Sequence, residues 1–302
     1  AVLVTLIGTG GVGKTRLALE VAGRLGADFP EGVWLVELAP LGDPSAVPEV
    51  VAATLGIVQQ PGKTLTQSVA EALEGRSRLL IFDNCEHVLD AAAELIESVL
   101  AGSRTVRILA TSREGLRVSD EQLWPVPSLD VDAGINSSAA ELFLQRAKAV
   151  SPGTQLRSDS DKAAIVEICK RLDGIPLAIE LAASRMLSMT AAEVRDRLDD
   201  RFQLLVGSRR GLERHQTSRH AVQWSYDLLE EAEQTLLNRC SVFAGGFDLP
   251  GACAVAGIDS ELTTLDLLDS LVRKSLIVAD RSSGHTRYAM LETIRQFAEE
   301  QL

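Results

Sequence analysis

LVTLIGTGGVGKTRL, residues Leu3 to Leu17, decides how the rest of the chain is read. An apolar run from Val2 to Ile7 gives way to Gly8, Gly10, Gly11 and Gly13 and then to Lys14-Thr15, the pattern G-x-x-x-x-G-K-[ST] of a phosphate-binding loop. The glycines let the chain fold back so that successive backbone N–H groups converge on phosphate oxygens, and the helix that follows adds its positive N-terminal end. Lys14 is placed to reach the β- and γ-phosphates as a mobile point charge, and the Thr15 hydroxyl to hold Mg²⁺. Leu17, Val21 and Leu25 predict the amphipathic helix such a loop requires.

The same glycines, Gly8-x-Gly10-x-x-Gly13, also fit a dinucleotide fingerprint, with Glu37 closing the next apolar run where a ribose-binding carboxylate belongs. That reading, a nicotinamide-dependent oxidoreductase, leaves Lys14 and Thr15 unused. Arg78-Leu79-Leu80-Ile81-Phe82-Asp83 weighs against it: a short apolar run ending in a carboxylate reads as a buried parallel strand, and its tip is where a P-loop protein keeps the acid on the Mg²⁺ side. A further apolar run, Val106 to Ala110, ends in Thr111-Ser112-Arg113, so a guanidinium at the tip of a strand beside the phosphate strand stands ready to sense a γ-phosphate.

Between these strands the sequence predicts helices over Ser45 to Leu55, from the capping box Thr64-x-x-Gln67 to about Leu73, and over Val88 to Leu100. After a last short strand, Gln122 to Val126, Pro125 and Pro127 close an α/β domain over residues 1–127 with a parallel sheet and the ligand at the strand carboxyl ends. From Ser128 the pattern turns helical. Ser138-x-x-Glu141 predicts a helix to about Val150, Ile165, Ile168, Cys169 and Leu172 share one helical face, Gly174-Ile175-Pro176 breaks one helix and starts the next, and Thr190-x-x-Glu193 caps another. These make a helical domain over residues 128–206. Residues 207–218 read as a linker or exposed loop, followed by helices over Ala221 to Leu229 and Glu231 to Cys240, a turn at Gly245-Gly246, and a helix with Leu265, Leu268 and Val272 on one face. A hairpin of Ile277 to Ala279 and Arg287 to Met290, turning at residues 282–284, precedes a last helix. Helices followed by a hairpin predict a winged helix over residues 207–302.

At 302 residues, 46% hydrophobic and 24% charged, the chain has the composition of a folded globular protein with two or three cores, which excludes disorder as a whole. A net charge of −12 repels nucleic acid unless a basic face concentrates locally, and residues 208–302 carry 10 Lys or Arg against 14 Asp or Glu. No apolar run approaches the roughly 18 residues that span a bilayer, and no signal peptide is visible, so the chain reads as cytoplasmic. Cys85, Cys169, Cys240 and Cys253 lack C-x-x-C spacing and read as reduced, packed thiols, while His215 and His220 are too far apart for one helical face. The chain starts inside one expected element and stops inside another, as a piece of a longer protein would.

With these residues in hand, the chain resembles the STAND class of signal-transduction ATPases, and within it the NB-ARC-like ATPase region of bacterial AfsR- and LuxR-type transcriptional regulators. The stretches that carry the resemblance are GTGGVGKTRLA, LLIFDNCEHV, ILATSREGL, RLDGIPLAIELAASR, LDDRFQLL, WSYDLL, SVFAGGF, LVRKSLI and YAMLETIRQFA, in that order. The resemblance implies a P-loop domain, a helical lid and a winged helix closing over ADP or ATP with Mg²⁺. It implies that Gly10, Gly11, Val12, Gly13, Lys14, Thr15 and Arg16 bind the phosphates, that Thr15 and Asp83 flank Mg²⁺, that Arg113 is the sensor arginine, and that Pro176 packs on adenine.

Three departures bear on activity. The residue after Asp83, an acid in relatives, is Asn84, which leaves Glu86 as the nearest carboxylate for a catalytic role. The Met-His-Asp motif of the winged helix reads Met290-Leu291-Glu292, without the histidine that holds ADP. The segment before the first strand, which helps bind adenine in relatives, lies outside this chain. The expectation is a slow Mg²⁺-dependent ATPase acting as a signal-transduction switch, with a non-hydrolysing nucleotide-bound scaffold as the alternative. Its partners are the sensor and effector domains of the same protein and a nucleotide-dependent homo-oligomer, with neither membrane nor nucleic acid contacted directly.

Overall fold

The computed structural model describes residues 2–151, 158–202, 219, 222, 223, 225–258, 260–281 and 285–302. The chain divides into two compact units, one of residues Ala1–Thr9 and Gly13–Pro127, the other of Gly10–Val12 and Ser128–Leu302.

Five strands build the first unit: β1 (Leu3–Ile7), β2 (Val33–Glu37), β3 (Leu79–Asp83), β4 (Arg107–Ser112) and β5 (Glu121–Pro125). All pairings are parallel and the order is β2-β3-β4-β1-β5. The alternation of side chains explains the layers. Leu79, Ile81 and Leu109 point to one face with Ala18 and Ala22 of α1 (Lys14–Leu25), whereas Leu80, Phe82, Ile108 and Ala110 point to the other. That second face is covered by α2 (Val47–Leu55), α3 (Leu65–Ala72) and α4 (Leu89–Gly102). Because both faces are buried, β3 and β4 are apolar along nearly their whole length, which is why they were legible as strands without alternation.

Local signals hold where the chemistry is local. Thr64 caps α3 as a full capping box, accepting from the Gln67 amide at 3.2 Å while the Gln67 side chain accepts from the Thr64 amide at 2.9 Å. Two details of packing differ from expectation. In α1 the buried stripe is Ala18 and Ala22, with Leu17 and Val21 half-buried at its margins and Leu25 exposed, since small residues let the helix lie close on the sheet. β4 extends through Thr111 and Ser112, so these polar residues are part of the sheet and buried.

The second unit has one continuous core from Ala139 to Ala298. It contains α5 (Ser138–Val150), α6 (Asp159–Arg171), α7 (Pro176–Ser184) and α8 (Ala191–Phe202), then helices Glu231–Cys240, Leu249–Ala256, Glu261–Arg273 and Glu292–Glu299 with an antiparallel hairpin of β6 (Val278–Asp280) and β7 (Arg287–Ala289). The cap of α5 is Ser137, whose side chain accepts from the Ala140 amide at 3.2 Å; Ser138, the expected cap, instead accepts from the Asp130 amide at 2.9 Å. The break before α7 has a steric cause. Gly174 has φ +65°, and a Cβ there would lie 2.1 Å from the Leu129 carbonyl oxygen, so no other residue fits; Pro176 then starts the helix.

Helix Leu249–Ala256, capped by Asp248, has no counterpart in the sequence reading, because its small residues carry no apolar stripe. In helix Glu261–Arg273 the inward residues are Thr264, Leu268 and Leu271, while Leu265 faces outward with Leu262. The expected linker over residues 207–218, with His215, and the hairpin turn at 282–284 lie outside the described residues. So do His220 and parts of the helix expected over 221–229. Cys85, Cys169 and Cys240 are buried free thiols, and burial pushes Cys169 and Cys240 up to about 12, which makes them inert packing groups. Among the described residues no helix is long and apolar enough to cross a membrane, and no cluster of three or more His, Cys, Asp or Glu stands in metal-binding array.

Candidate nucleotide site

Strand register gathers the expected groups of the first unit at one edge of the sheet. Ile7, the last residue before the loop, pairs with Ser112 on one side and Pro125 on the other, and Asp83 closes β3 two strands from β1. Gly13 turns into α1 with φ +99°, a conformation that favours glycine, and the amides of the first helical turn follow it.

Lys14 is buried, and its Nζ donates to the carbonyl oxygens of Gly8 (2.8 Å) and Thr9 (3.1 Å), so the loop curls around its own lysine. Burial lowers the ammonium below its usual pKa. Glu86 opposes that shift, Arg113 adds to it, and Asp83 opposes it, so the three ions all lie within the field of Lys14. Thr15, exposed at the helix start, donates its hydroxyl to Asp83 Oδ1 at 2.7 Å.

Asp83 is oriented by a residue the sequence reading placed nearby without a role. Thr111 on the adjacent strand donates to Asp83 Oδ1 at 2.5 Å and accepts from the Asn84 amide at 2.9 Å. A hydroxyl at this height of β4 is recognisable only once β4 is known to lie between β1 and β3. Asn84 itself has φ +63°, and its side-chain nitrogen lies 3.5 Å from His87 Nδ1. His87 Nε2 lies 2.9 Å from the Leu38 carbonyl, which can only accept, so Nε2 is the donor of that hydrogen bond. The position after Asp83 is thereby turned to His87.

Glu86 follows in a short 3₁₀ turn, Cys85–His87, and accepts from Arg113 Nε at 3.2 Å. Arg16 lies exposed on α1. Gly10, Gly11 and Val12 group with the second unit, where the Leu177 amide donates to the Gly11 carbonyl at 3.2 Å; Pro176, half-buried, is the first residue of that helix.

The donor set fits a magnesium nucleotide. Thr15 and Asp83 present hard oxygens 2.7 Å apart, suited to Mg²⁺ directly or through its waters, and a glycine-framed helix start with a buried lysine suits phosphates. Glu37 has no such place. It is exposed at the end of β2, an edge strand separated from β1 by β3 and β4, whereas a ribose-binding acid must end the strand next to the glycine loop. The dinucleotide reading is therefore wrong.

Comparison with known proteins agrees with this geometry. Residues 1–117 match the family model described as an AAA domain, and residues 229–302 that of a winged helix-turn-helix domain. The chain is 46% identical over 303 residues to Rv0890c of Mycobacterium tuberculosis, which bears the name of an HTH-type transcriptional regulator; the match covers 99% of this chain and 34% of that protein. It thus spans about a third of that relative's length. Rv0894 of the same organism is 39% identical over 304 residues, covering 99% of this chain and 76% of that protein. The regulatory protein AfsR of Streptomyces coelicolor is 31% identical over 97% of this chain and 28% of its own length. Among solved structures, a STAND protein with a tetratricopeptide repeat sensor from Pyrococcus horikoshii shares the fold, with TM-score 0.59 at 15% identity over 99% of this chain and 40% of that one.

Proposed function

Because the chain belongs to the STAND-like P-loop NTPases of AfsR-type regulators, we propose that it works as an adenine-nucleotide-controlled switch within a larger transcriptional regulator, with slow Mg²⁺-dependent hydrolysis as its timer. The single observation that carries the reading is the Thr15 to Asp83 contact at 2.7 Å beside a lysine already folded into the loop. In this reading the loop amides of residues 10–16 and Lys14 bind the phosphates, Thr15 and Asp83 hold Mg²⁺, Arg113 reads the γ-phosphate, Glu86 serves the chemistry, and Pro176 packs on adenine. When bound, the magnesium ion bridges and neutralises phosphate oxygens. Residues 1–127, 128–206 and 207–302 then act as nucleotide domain, lid and winged helix.

A nucleotide at about a thousand times its dissociation constant contributes roughly 4 kcal/mol to the state that binds it, enough to reweight two states about a thousandfold when only one of them binds. Turnover is slow in this proposal because Asn84, tied to His87, stands where an acid would act. The same residue favours a second reading, a scaffold that keeps nucleotide without hydrolysing it.

The winged helix is assigned to protein contacts. The outward residues of Glu261–Arg273 include Glu261, Leu262, Leu265, Asp266 and Asp269, which repel a phosphate backbone instead of neutralising it. Salt-dependent binding of this region to duplex DNA would overturn that assignment.

Two measurements test the switch. Denaturing freshly purified protein should release adenine nucleotide. Calorimetry with Mg²⁺ should show ATP binding that Lys14→Ala weakens by about 10- to 100-fold, as expected for one lost charge-assisted contact. Binding of neither ADP nor ATP ends the proposal, and phosphate release at several turnovers per second ends the slow-timer part of it.

A further inference from the structure

Glu86 and Arg113 hold each other at the tips of β3 and β4, and the pair is lopsided. Arg113 Nε donates to Glu86 Oε1 at 3.2 Å, with the guanidinium side chain 39% exposed and the glutamate side chain 13% exposed. Glu86 Oε2 is buried, and among the described residues it receives no hydrogen bond. A buried carboxylate oxygen without a donor is costly, and here it leaves an acceptor open at the strand tips beside the glycine loop. Asp83, a few residues away, shows the contrast: its Oδ1 accepts from both Thr15 and Thr111.

We infer that Arg113 is shared between Glu86 and the terminal phosphate of a nucleoside triphosphate, so that Glu86 sets the preference for triphosphate over diphosphate and is free to act on water only after Arg113 has left it. This deepens the reading above and rests on it. Ser112, the residue before Arg113, pairs with Ile7 at the start of the glycine loop, and Asp83, three residues before Glu86, accepts from Thr15 at the loop's end, which places the pair beside the phosphates that Lys14 serves. A guanidinium prefers the anion that offers more charge and more acceptor oxygens, and a terminal phosphate outbids a single carboxylate on both counts. A diphosphate offers no terminal group at that position, so Arg113 stays with Glu86. Once released, Glu86 Oε2 accepts the proton of a water whose oxygen bonds to the γ-phosphorus as the bond to the diphosphate's bridging oxygen breaks, the electron pair leaving with the diphosphate. The pair therefore couples recognition of the third phosphate to the availability of the base.

The test compares binding of Mg·ADP with that of a non-hydrolysable Mg·ATP analogue by calorimetry. Glu86→Gln removes the competing charge and should tighten the triphosphate analogue relative to ADP by about three- to fivefold, the scale of a half-exposed ion pair. Arg113→Ala should erase the preference for the triphosphate, and adding Glu86→Gln to it should change nothing further. If Glu86→Gln shifts both nucleotides equally, or shifts neither, the pair is a structural contact and the inference fails while the switch stands. If wild-type protein binds neither nucleotide, the switch reading falls and takes this inference with it.

Discussion

At the strand ends of the first unit, Lys14, Asp83, Glu86 and Arg113 are charged groups held in part by backbone carbonyls and a threonine, with one buried carboxylate oxygen that accepts no hydrogen bond among the described residues. In the second unit, Glu233 is buried and uses both oxygens: Oε1 accepts from Lys274 and from the Ser270 hydroxyl at 2.6 Å, and Oε2 from the Glu230 amide at 2.8 Å. Arg185 lies near enough to feel it and donates to the Ser225 carbonyl at 2.6 Å; burial pushes its guanidinium down to about 10, with Glu233 opposing. Both clusters join distant parts of the chain. The difference is that both oxygens of Glu233 accept hydrogen bonds from its own chain, whereas Glu86 Oε2 accepts none among the described residues.

That contrast predicts opposite responses to substitution, and the largest lies in the second unit. Lys274→Met leaves Glu233 charged and without the cation that donates to it, with Arg185 acting only from a distance, and should cost about 3–5 kcal/mol in denaturant unfolding. Pairing it with Glu233→Gln should restore part of the loss, since the uncompensated charge is then gone. If Lys274→Met proves as mild as an exposed pair, below about 1 kcal/mol, the two clusters do not differ in kind.

How much of this was legible beforehand follows from the range over which each signal acts. The phosphate loop, the capping boxes at Thr64 and Thr190 and the start of α7 at Pro176 depend on residues a few positions apart, and each is where the sequence puts it. Asp83 and Arg113 were readable as strand-tip groups for the same reason. The strand order is not local, and with it went the placing of Glu37, the support Thr111 gives Asp83 and the pairing of Glu86 with Arg113. Glu233 and Lys274 meet across 41 positions and leave no periodic trace; the reading of Glu231 to Cys240 as one more amphipathic helix hid them. Ser137 displaced Ser138 as cap because Ser138 was wanted by the Asp130 amide, a competition no propensity encodes.

The next prediction is smaller and falls on the first cluster. Thr111→Val keeps the shape of β4 but removes a donor from Asp83 and an acceptor from the Asn84 amide. Stability should fall by about 1–3 kcal/mol, the range for leaving one buried partner unpaired. Nucleotide binding should lose much of its Mg²⁺ dependence, because Asp83 is no longer oriented toward Thr15. A stability loss with the Mg²⁺ dependence intact would mean that Thr15 alone holds Asp83 in place, and would move Thr111 from the site to the sheet.

Acid gives the mildest probe, and it falls on the second cluster. Burial pushes the Glu233 carboxyl up, but donation from Lys274, then from Ser270 and the Glu230 amide, outweighs it and holds the group below its ordinary value of 4.5. A carboxylate whose folded pKa is depressed contributes stability that is present above the unfolded value and is lost as pH falls through the folded one. The margin by which wild type exceeds Glu233→Gln in denaturant unfolding should therefore be constant from neutrality down to about pH 5 and shrink below the ordinary value of 4.5. The sign is what matters. A margin that grows in acid would mean that Glu233 is protonated in the folded protein at neutral pH, with Lys274 and Ser270 donating to a neutral group, and the second cluster would then be the one holding an acid in reserve.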